Sequence, residues 1–285
     1  MYIHLTVCFA DTPSTQPSLI ELNFVEVAVS DKTTIRKKSL SVDSTWHLQL
    51  QGKLHTRHQV DVYDIDLFDT PAKTIELLKD LGKTVICYFS AGSFENWRVD
   101  ADRYSNAAKG LPLDGWPGER WLDIRSAHLR NIIINRLNLA KRKGCSGVDP
   151  DNVDGYIHNT GFNLTAADQI AFNRFISTQA HDRHLLIGLK NDVDQIPVLV
   201  DEFDFTVNEQ CHEFNECQKL MPFITNGKPV FNIEYKRQYV NTPGARNKLC
   251  VDAHSRNFQT LVLPLTLDDS FRISCRPDSQ QKSSN

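Results

Sequence analysis

The chain has 285 residues, with 32 basic and 35 acidic side chains, a formal net charge of −3 and 40% hydrophobic residues. No global positive field draws it to nucleic acid or to an acidic membrane surface, and no stretch approaches the ~20 apolar residues of a spanning helix. The length exceeds the roughly 250 residues of one α/β barrel by about its two poorly patterned ends.

Residues 1–44 show no sustained period and mix Ser, Thr and Lys with scattered valines, so a loosely ordered N-terminal extension is expected there. Its first ten residues carry no basic segment and are interrupted by His4 and Thr6, which makes a poor signal peptide. Trp46-His47-Leu48-Gln49-Leu50 reads as an accessory strand or lid at a barrel mouth. From Val60 onward, apolar runs at 60–66, 84–90, 121–125, 147–151, 185–191, 203–209, 229–235 and 259–264 alternate with helix-like stretches. Eight strands with helices between them predict an α/β fold, a single (β/α)8 TIM barrel over residues 45–275. The strands are nearly continuous in apolar residues, as burial on both faces requires.

The helices have recognisable ends. Asp69-Thr70-Pro71 offers an N-cap with proline in the first turn, and Leu77, Leu78 and Leu81 supply an apolar face that Gly82 closes. Ser126 precedes a helical run ending at Gly144, Thr165 with Asp168 forms a capping-box pattern, and Gly227 follows a short run at 220–224. The tail over 276–285 is polar and expected to be poorly ordered.

Two acidic clusters carry the chemistry: Gly147-Val148-Asp149-Pro150-Asp151-Asn152-Val153-Asp154 and Val207-Asn208-Glu209-Gln210-Cys211, each ending an apolar run. Paired carboxylates at strand ends suit acid/base or nucleophilic work on one scissile bond. Asp64, Asp66, Asp123 and Glu234 also fall at or near strand C-terminal ends, the face on which barrel enzymes build their sites, so an acidic mouth is expected. Such a mouth suits a hydroxyl-rich or amine-bearing substrate. Turn caps for Asp149, Asp151 and Asp154, a solvated charge for Glu209 and strand capping for Asp64 and Asp66 are the duller alternatives. Lys190-Asn191 either binds a substrate hydroxyl or offsets the carboxylates. Trp97, Trp116, Trp121, Tyr88, Tyr156 and Tyr235 are either sugar-stacking platforms or packing residues.

Seven cysteines with one Asn163-Leu164-Thr165 sequon point to an oxidising, secretory compartment. Cys211 and Cys217 flank a short loop they could close, and Cys250 with Cys275 could tie the last helix to the tail. Cys87 and Cys145 read as small buried hydrophobes. The histidines show no His-x-His or His-Glu-x-x-His pattern, so neither a metal nor a cofactor is expected.

Several segments in order resemble one family: Val62-Tyr63-Asp64-Ile65-Asp66-Leu67-Phe68-Asp69, Cys87-Tyr88-Phe89-Ser90-Ala91-Gly92-Ser93, Asp114-Gly115-Trp116-Pro117-Gly118-Glu119, Trp121-Leu122-Asp123-Ile124-Arg125 and the two acidic clusters. From about Trp46 to Cys275 the chain is similar to glycoside hydrolase family 114, the endo-α-1,4-polygalactosaminidases. The resemblance implies a secreted, monomeric glycosidase acting on polysaccharide, with no nucleic-acid or membrane partner. It further implies Asp151 as nucleophile and Glu209 as acid/base, in a retaining arrangement like that of barrel α-galactosidases. The other candidates for substrate contact are Asp64, Asp66, Tyr88, Trp116, Trp121, Asp123, Asp149, Asn152, Asp154, Tyr156, Lys190, Asn191, Gln210, Glu234 and Tyr235. Hydrolysis of other α-galactosides, a metal-dependent hydrolase and a carbohydrate-binding barrel without turnover are the competing expectations.

Overall fold

The computed structural model describes residues 40–276; residues 1–39 of the extension expected over 1–44, and residues 277–285 of the tail, lie outside the described residues. Eight strands pair side by side and all parallel: β1 (Trp46–Gln49), β2 (Val62–Asp66), β3 (Thr84–Ser90), β4 (Gly147–Asp151), β5 (Leu186–Lys190), β6 (Phe205–Glu209), β7 (Val230–Glu234) and β8 (Gln259–Val262). A short antiparallel strand, Ile273–Ser274, follows β8 at the edge of the sheet.

Side chains alternate between the two faces of each strand, and the inward set defines the barrel. Trp46 and Leu48 of β1, Val62 of β2, Ile86 of β3, Phe205 and Val207 of β6, Phe231 and Ile233 of β7, and Leu261 of β8 form one buried cluster. First and last strands therefore share an interior: the Trp46 ring lies 4.9 Å from that of Phe231, and its Nε1 donates to the Gln259 carbonyl at 2.7 Å. Phe205 fills this interior because its neighbour on β5 is glycine. A Cβ on Gly188 would stand 2.4 Å from the Phe205 ring.

The outward faces bury against α1 (Ala72–Asp80), α2 (Ala127–Lys143) and α3 (Ala166–His181). Ser126 caps α2 by accepting from the Leu129 amide, Gly144 ends it in the left-handed region, and Thr165 with Asp168 forms the expected capping box on α3. α1 differs from expectation. Pro71 is its N-cap, without a side-chain cap, and Ile75 and Leu78 are its buried residues, while Leu77 and Leu81 face solvent.

The strand count holds but its membership changes. Segment 46–50 is a barrel strand, not an accessory lid: Trp46 and Leu48 point into the barrel while His47 and Gln49, on the other face, are also buried. Segment 121–125 is not a barrel strand. Its start belongs to Glu119–Leu122, the middle strand of a separate antiparallel sheet with Ser93–Glu95 and Lys109–Pro112, inserted between β3 and α2. Leu40 packs against the barrel interior and Ser44 is buried, so the ordered fold begins before residue 45.

Cys211–Cys217 and Cys250–Cys275 are disulfide-bonded, and so are Cys87 and Cys145, which the sequence suggested were free buried thiols. That third bridge ties β3 to the turn leaving α2. Non-reducing peptide mapping is expected to recover all three pairs. Replacing Cys87 and Cys145 together by alanine should lower the unfolding free energy by about 2–4 kcal/mol, since the bridge closes a loop of 58 residues. Urea midpoints check this, and an unchanged midpoint would contradict it.

Candidate active site

Three adjacent strands deliver the ionisable groups. Asp149 and Asp151 are alternate residues on β4, Lys190 ends β5 and Glu209 ends β6, so all four arrive on the inner face at the C-terminal end. Tyr88 on β3 lies opposite Asp149, and its hydroxyl donates to Asp151 Oδ2 at 2.8 Å. Two residues beyond Ile233, which pairs with Glu209, Tyr235 donates its hydroxyl to Glu209 Oε1. The Asn191 side chain stands 3.5 Å from Glu209 Oε2 and accepts from the Glu209 amide at 2.9 Å.

Lys190 organises this cluster. Its Nζ lies 3.2 Å from Asp149 Oδ2 and 3.9 Å from Asp151 Oδ2. Burial opposes its charge, yet Asp149, Asp151, Glu209 and Asp64 outweigh that effect and hold its pKa well above the ordinary lysine value. One layer deeper, burial is also the largest influence on Asp149, which even the Lys190 ammonium leaves raised to about 6. Asp64, from β2, is 1% exposed, and its oxygens and Asp149 Oδ1 have no hydrogen-bond donor among the described residues. Burial first, and the Asp149 charge second, push Asp64 well above the carboxylate range. A protonated Asp64 can then donate to Asp149, which removes the conflict between two buried acceptors.

The backbone that aims these groups is unusual. Asn152, Asn191 and Gln210, the residues immediately after β4, β5 and β6, all have positive φ, at 59°, 48° and 64°. The Asn152 amide side chain is held by Ser90 Oγ at 3.0 Å and Ser93 Oγ at 3.2 Å, and its backbone donates to Asp151 Oδ1 at 2.7 Å. Ser93 in turn donates to Glu119 Oε2 at 2.6 Å. Gly92 is required here: a Cβ would fall 1.7 Å from the Asn152 carbonyl oxygen.

These residues open into a cleft of about 1080 Å³. It is walled on one side by the inserted sheet and its loops, from Leu111 to Trp121, and on the other by the segments after β5, β6 and β8. Asp151, Asp154, Asp192, Asp194, Glu209 and Glu216 line it, against Lys190 and Arg98 as fully charged cations. Arg98 is already committed, bonding Asp66 at 2.7 and 3.1 Å and Glu95 at 2.7 Å. The exposed rings of Trp97, Trp116 and Phe214 lie on the rim.

Of the sequence candidates, Asp66, Tyr88, Trp116, Trp121, Asp151, Asn152, Asp154, Lys190, Asn191, Glu209 and Gln210 line this cleft. Asp64, Asp149 and Tyr235 sit behind them as supports. Asp66 borders the cleft but is consumed by Arg98 and by the Phe68 and Asp69 amides. Trp121 is buried and stacks on His158 at 5.0 Å. Three further candidates lie neither in the lining nor directly behind it. Asp123 pairs with its neighbour Arg125, Tyr156 stands beside Asp192, and Glu234 faces away from the barrel interior, where it accepts from the His212 amide at 2.9 Å. Glu234 alternates with Ile233 and Tyr235, so strand parity alone excludes it from the cleft.

The sequence missed Glu119, Asp192, Asp194 and Glu216. Asp192 was within reach, since it continues the Lys190-Asn191 strand end. Glu119 ends one of the segments that carry the family resemblance, but its approach to the cleft depends on the inserted sheet. Burial pushes Glu119 up to about 7. Asp192 goes to about 8, chiefly through burial and then the Asp154 charge, while accepting from Asn173 Nδ2 at 2.7 Å.

A parallel eight-stranded barrel with facing carboxylates over a long acidic cleft is the architecture of a glycoside hydrolase. The model of Glycoside-hydrolase family GH114 matches residues 26–280, and the chain belongs to that family. Its structure is similar to that of Aspergillus fumigatus Ega3 in complex with galactosamine, with 43% sequence identity and a TM-score of 0.80, covering 84% of this chain and 98% of that one. It also shares its fold with the glycoside hydrolase domain of PelA from Pseudomonas aeruginosa, at 16% identity and a TM-score of 0.63, over 81% and 98% of the two chains. No curated protein matches.

The raised Asp192 sets a stability dependence on pH. The unfolded side chain loses its proton near 4, whereas the folded chain keeps it to about 8, so this group makes stability fall between those values and adds no further change above them. Asp192→Asn keeps a carbonyl for Asn173 and removes the titration. The variant is expected to gain stability relative to the wild type as pH rises from 5 to 8 in urea unfolding. A difference independent of pH would refute the assignment.

Proposed function

We propose that the chain is an endo-acting hydrolase of α-1,4-linked galactosamine or N-acetylgalactosamine chains, with Asp151 as nucleophile and Glu209 as acid/base. The carrying observation is the asymmetry of the two carboxyls that face one cleft. Asp151 lies 3.9 Å from the Lys190 ammonium and accepts from Tyr88, while Glu209 contacts the uncharged Tyr235 hydroxyl and Asn191 amide. A carboxylate next to the cation suits attack on an anomeric carbon, and a carboxyl farther from it, with neutral hydrogen-bond partners, suits proton delivery.

In the first step Asp151 forms a bond to the anomeric carbon as the glycosidic bond breaks, and Glu209 gives its proton to the departing oxygen. In the second, Glu209 takes a proton from water, whose oxygen displaces Asp151, so the configuration is retained. The cleft exceeds the roughly 300–1,000 Å³ typical of small-ligand sites, which fits several sugar rings bound across an internal linkage. Its acidic walls favour ammonium-bearing sugars, and the bound galactosamine of Ega3 supports the same class. Trp97 and Trp116 are suited to stacking on sugar faces. Three disulfides favour an oxidising, extracellular setting, and no helix among the described residues is long and apolar enough to cross a membrane. The reading takes the enzyme as a monomer acting on polysaccharide, without a nucleic-acid or membrane partner.

Purified protein incubated with α-1,4-galactosamine polymer is expected to release reducing ends, with Asp151→Asn and Glu209→Gln each slower by at least ~100-fold. Proton NMR should show the α-anomer first. Initial β-anomer would sink the nucleophile assignment, and polymer binding without any cleavage would leave a carbohydrate-binding barrel instead.

A further inference from the structure

A second cluster of ionisable side chains lies on the outer face of β1, away from the catalytic carboxylates. Because Trp46 and Leu48 point inward, His47 points outward, into a space covered by the β1–β2 loop and by the segment after β8. That loop brings His55 and His58, and the later segment brings Asp269. Asp269 Oδ2 lies 2.5 Å from His55 Nδ1 and 2.9 Å from His58 Nε2. The His47 and His58 rings are 4.1 Å apart, and one donor atom each from His47, His58 and Asp269 lie within 4.8 Å of one another.

His47 itself has no ordinary role. It is 0% exposed, and neither ring nitrogen has a hydrogen-bond partner among the described residues. Gln49, within polar contact, has its amide committed to Gln51 O and Lys53 O and its carbonyl to the His55 amide. Tyr63 meets the imidazole at 5.4 Å between ring centres in an edge geometry. Buried imidazole nitrogens are ordinarily paired, so a ring without a partner, one nitrogen of which lies within 4.8 Å of donor atoms on His58 and Asp269, calls for a ligand.

We propose that His47, His58 and Asp269 bind a divalent transition-metal ion of the zinc class, with His55 orienting the carboxylate. Two imidazoles and one carboxylate are the donor set that suits zinc over calcium or magnesium, and three protein ligands leave a fourth position for water. The ion replaces the His58–Asp269 hydrogen bond: at metal–ligand distances of about 2.0–2.2 Å the two donor atoms separate to roughly 3.3 Å, a small opening from 2.9 Å. His55 keeps its bond to Asp269, the usual support for a ligating group. The Arg272 guanidinium, which donates to Trp46 O at 2.7 Å, is a cation acting on this cluster, and the Asp269 charge opposes its effect at His47. The ion staples β1 and its loop to the segment after β8, where Leu50 and Gln51 already donate to Leu267 O, and Leu50, Gln51 and Leu267 line the cleft.

The test uses the full chain, stripped with EDTA and desalted, titrated with Zn²⁺ alone by calorimetry and with Co²⁺ by visible absorption. One Zn²⁺ per chain is expected, together with a cobalt spectrum of low coordination number and a Tm increase of roughly 5 °C at hundredfold excess over Kd. His58→Gln and Asp269→Asn, both less buried than His47→Gln and safer for folding, should each weaken binding at least tenfold. His212→Ala, beside the Cys211–Cys217 bridge, should leave the stoichiometry unchanged. Absence of zinc binding by the wild type, or equal affinity in His58→Gln and Asp269→Asn, would show that the cluster is a hydrogen-bonded clasp and overturn the proposal. None of these readouts depends on glycosidase activity, so failure of the catalytic assignment is seen separately.

Discussion

The placement of one ammonium group inside the barrel governs what the other side chains can do. Asp64, Asp149, Asp151 and Glu209 converge on the same end of the sheet, and without Lys190 their mutual repulsion in a poorly hydrated space would favour neutralisation of several of them. A buried ion pair of this kind contributes little net stability, because desolvation offsets the attraction. Its value lies in the order it imposes: Asp149 on the ammonium and Asp151 at the cleft surface, above an Asp64 whose pKa burial raises. The apolar layer below, from Trp46 to Leu261, leaves the polar groups no direction to relax except toward the cleft.

The inserted sheet is fastened by a second charged network. Arg98 joins Glu95 to Asp66 on β2, while Arg136 on α2 pairs with Asp100 at 2.8 Å and donates to the Ser90 carbonyl at 2.6 Å. Both guanidiniums are planar donors that can serve two or more acceptors at once, which a lysine could not reproduce. Through them the sheet carrying Glu119 and the serines that hold Asn152 are locked to the same strands that deliver the carboxylates. Cleft wall and catalytic floor are thus one mechanical unit.

Much of this was legible because strand ends in a parallel barrel all point the same way. Runs of apolar residues ending in Asp151, Lys190 and Glu209 put all three at strand C-terminal ends, and all three line the one cleft. The failures have physical causes. Segment 46–50 read as an accessory strand or lid because polar His47 and Gln49 alternate with its apolar residues, when both are buried by tertiary contacts. Trp121-Leu122 looked like a buried strand because two apolar residues preceding an aspartate do not distinguish a barrel strand from a sheet edge. The Cys87–Cys145 bridge joins two apolar settings far apart in sequence, where neither cysteine hints at its partner. The segment ending at Glu119 carries part of the family resemblance, but its position against the cleft depends on the tertiary folding of the insertion.

The barrel seam has a consequence for biosynthesis. Trp46 and Gln259 are bonded across a sequence separation of 213 residues, so the hydrophobic interior cannot be finished until nearly all of the described chain has been made. Neighbouring strands can zip locally as they appear, but the last closure carries the entropy of the longest loop. Until then Trp46, Leu48 and Val62 form an open apolar surface on a partly assembled sheet, the kind of intermediate that associates with its own copies. Translation speed and access to folding factors therefore bear most heavily on the N-terminal strands, even though the proposed catalytic groups reside on strands made later.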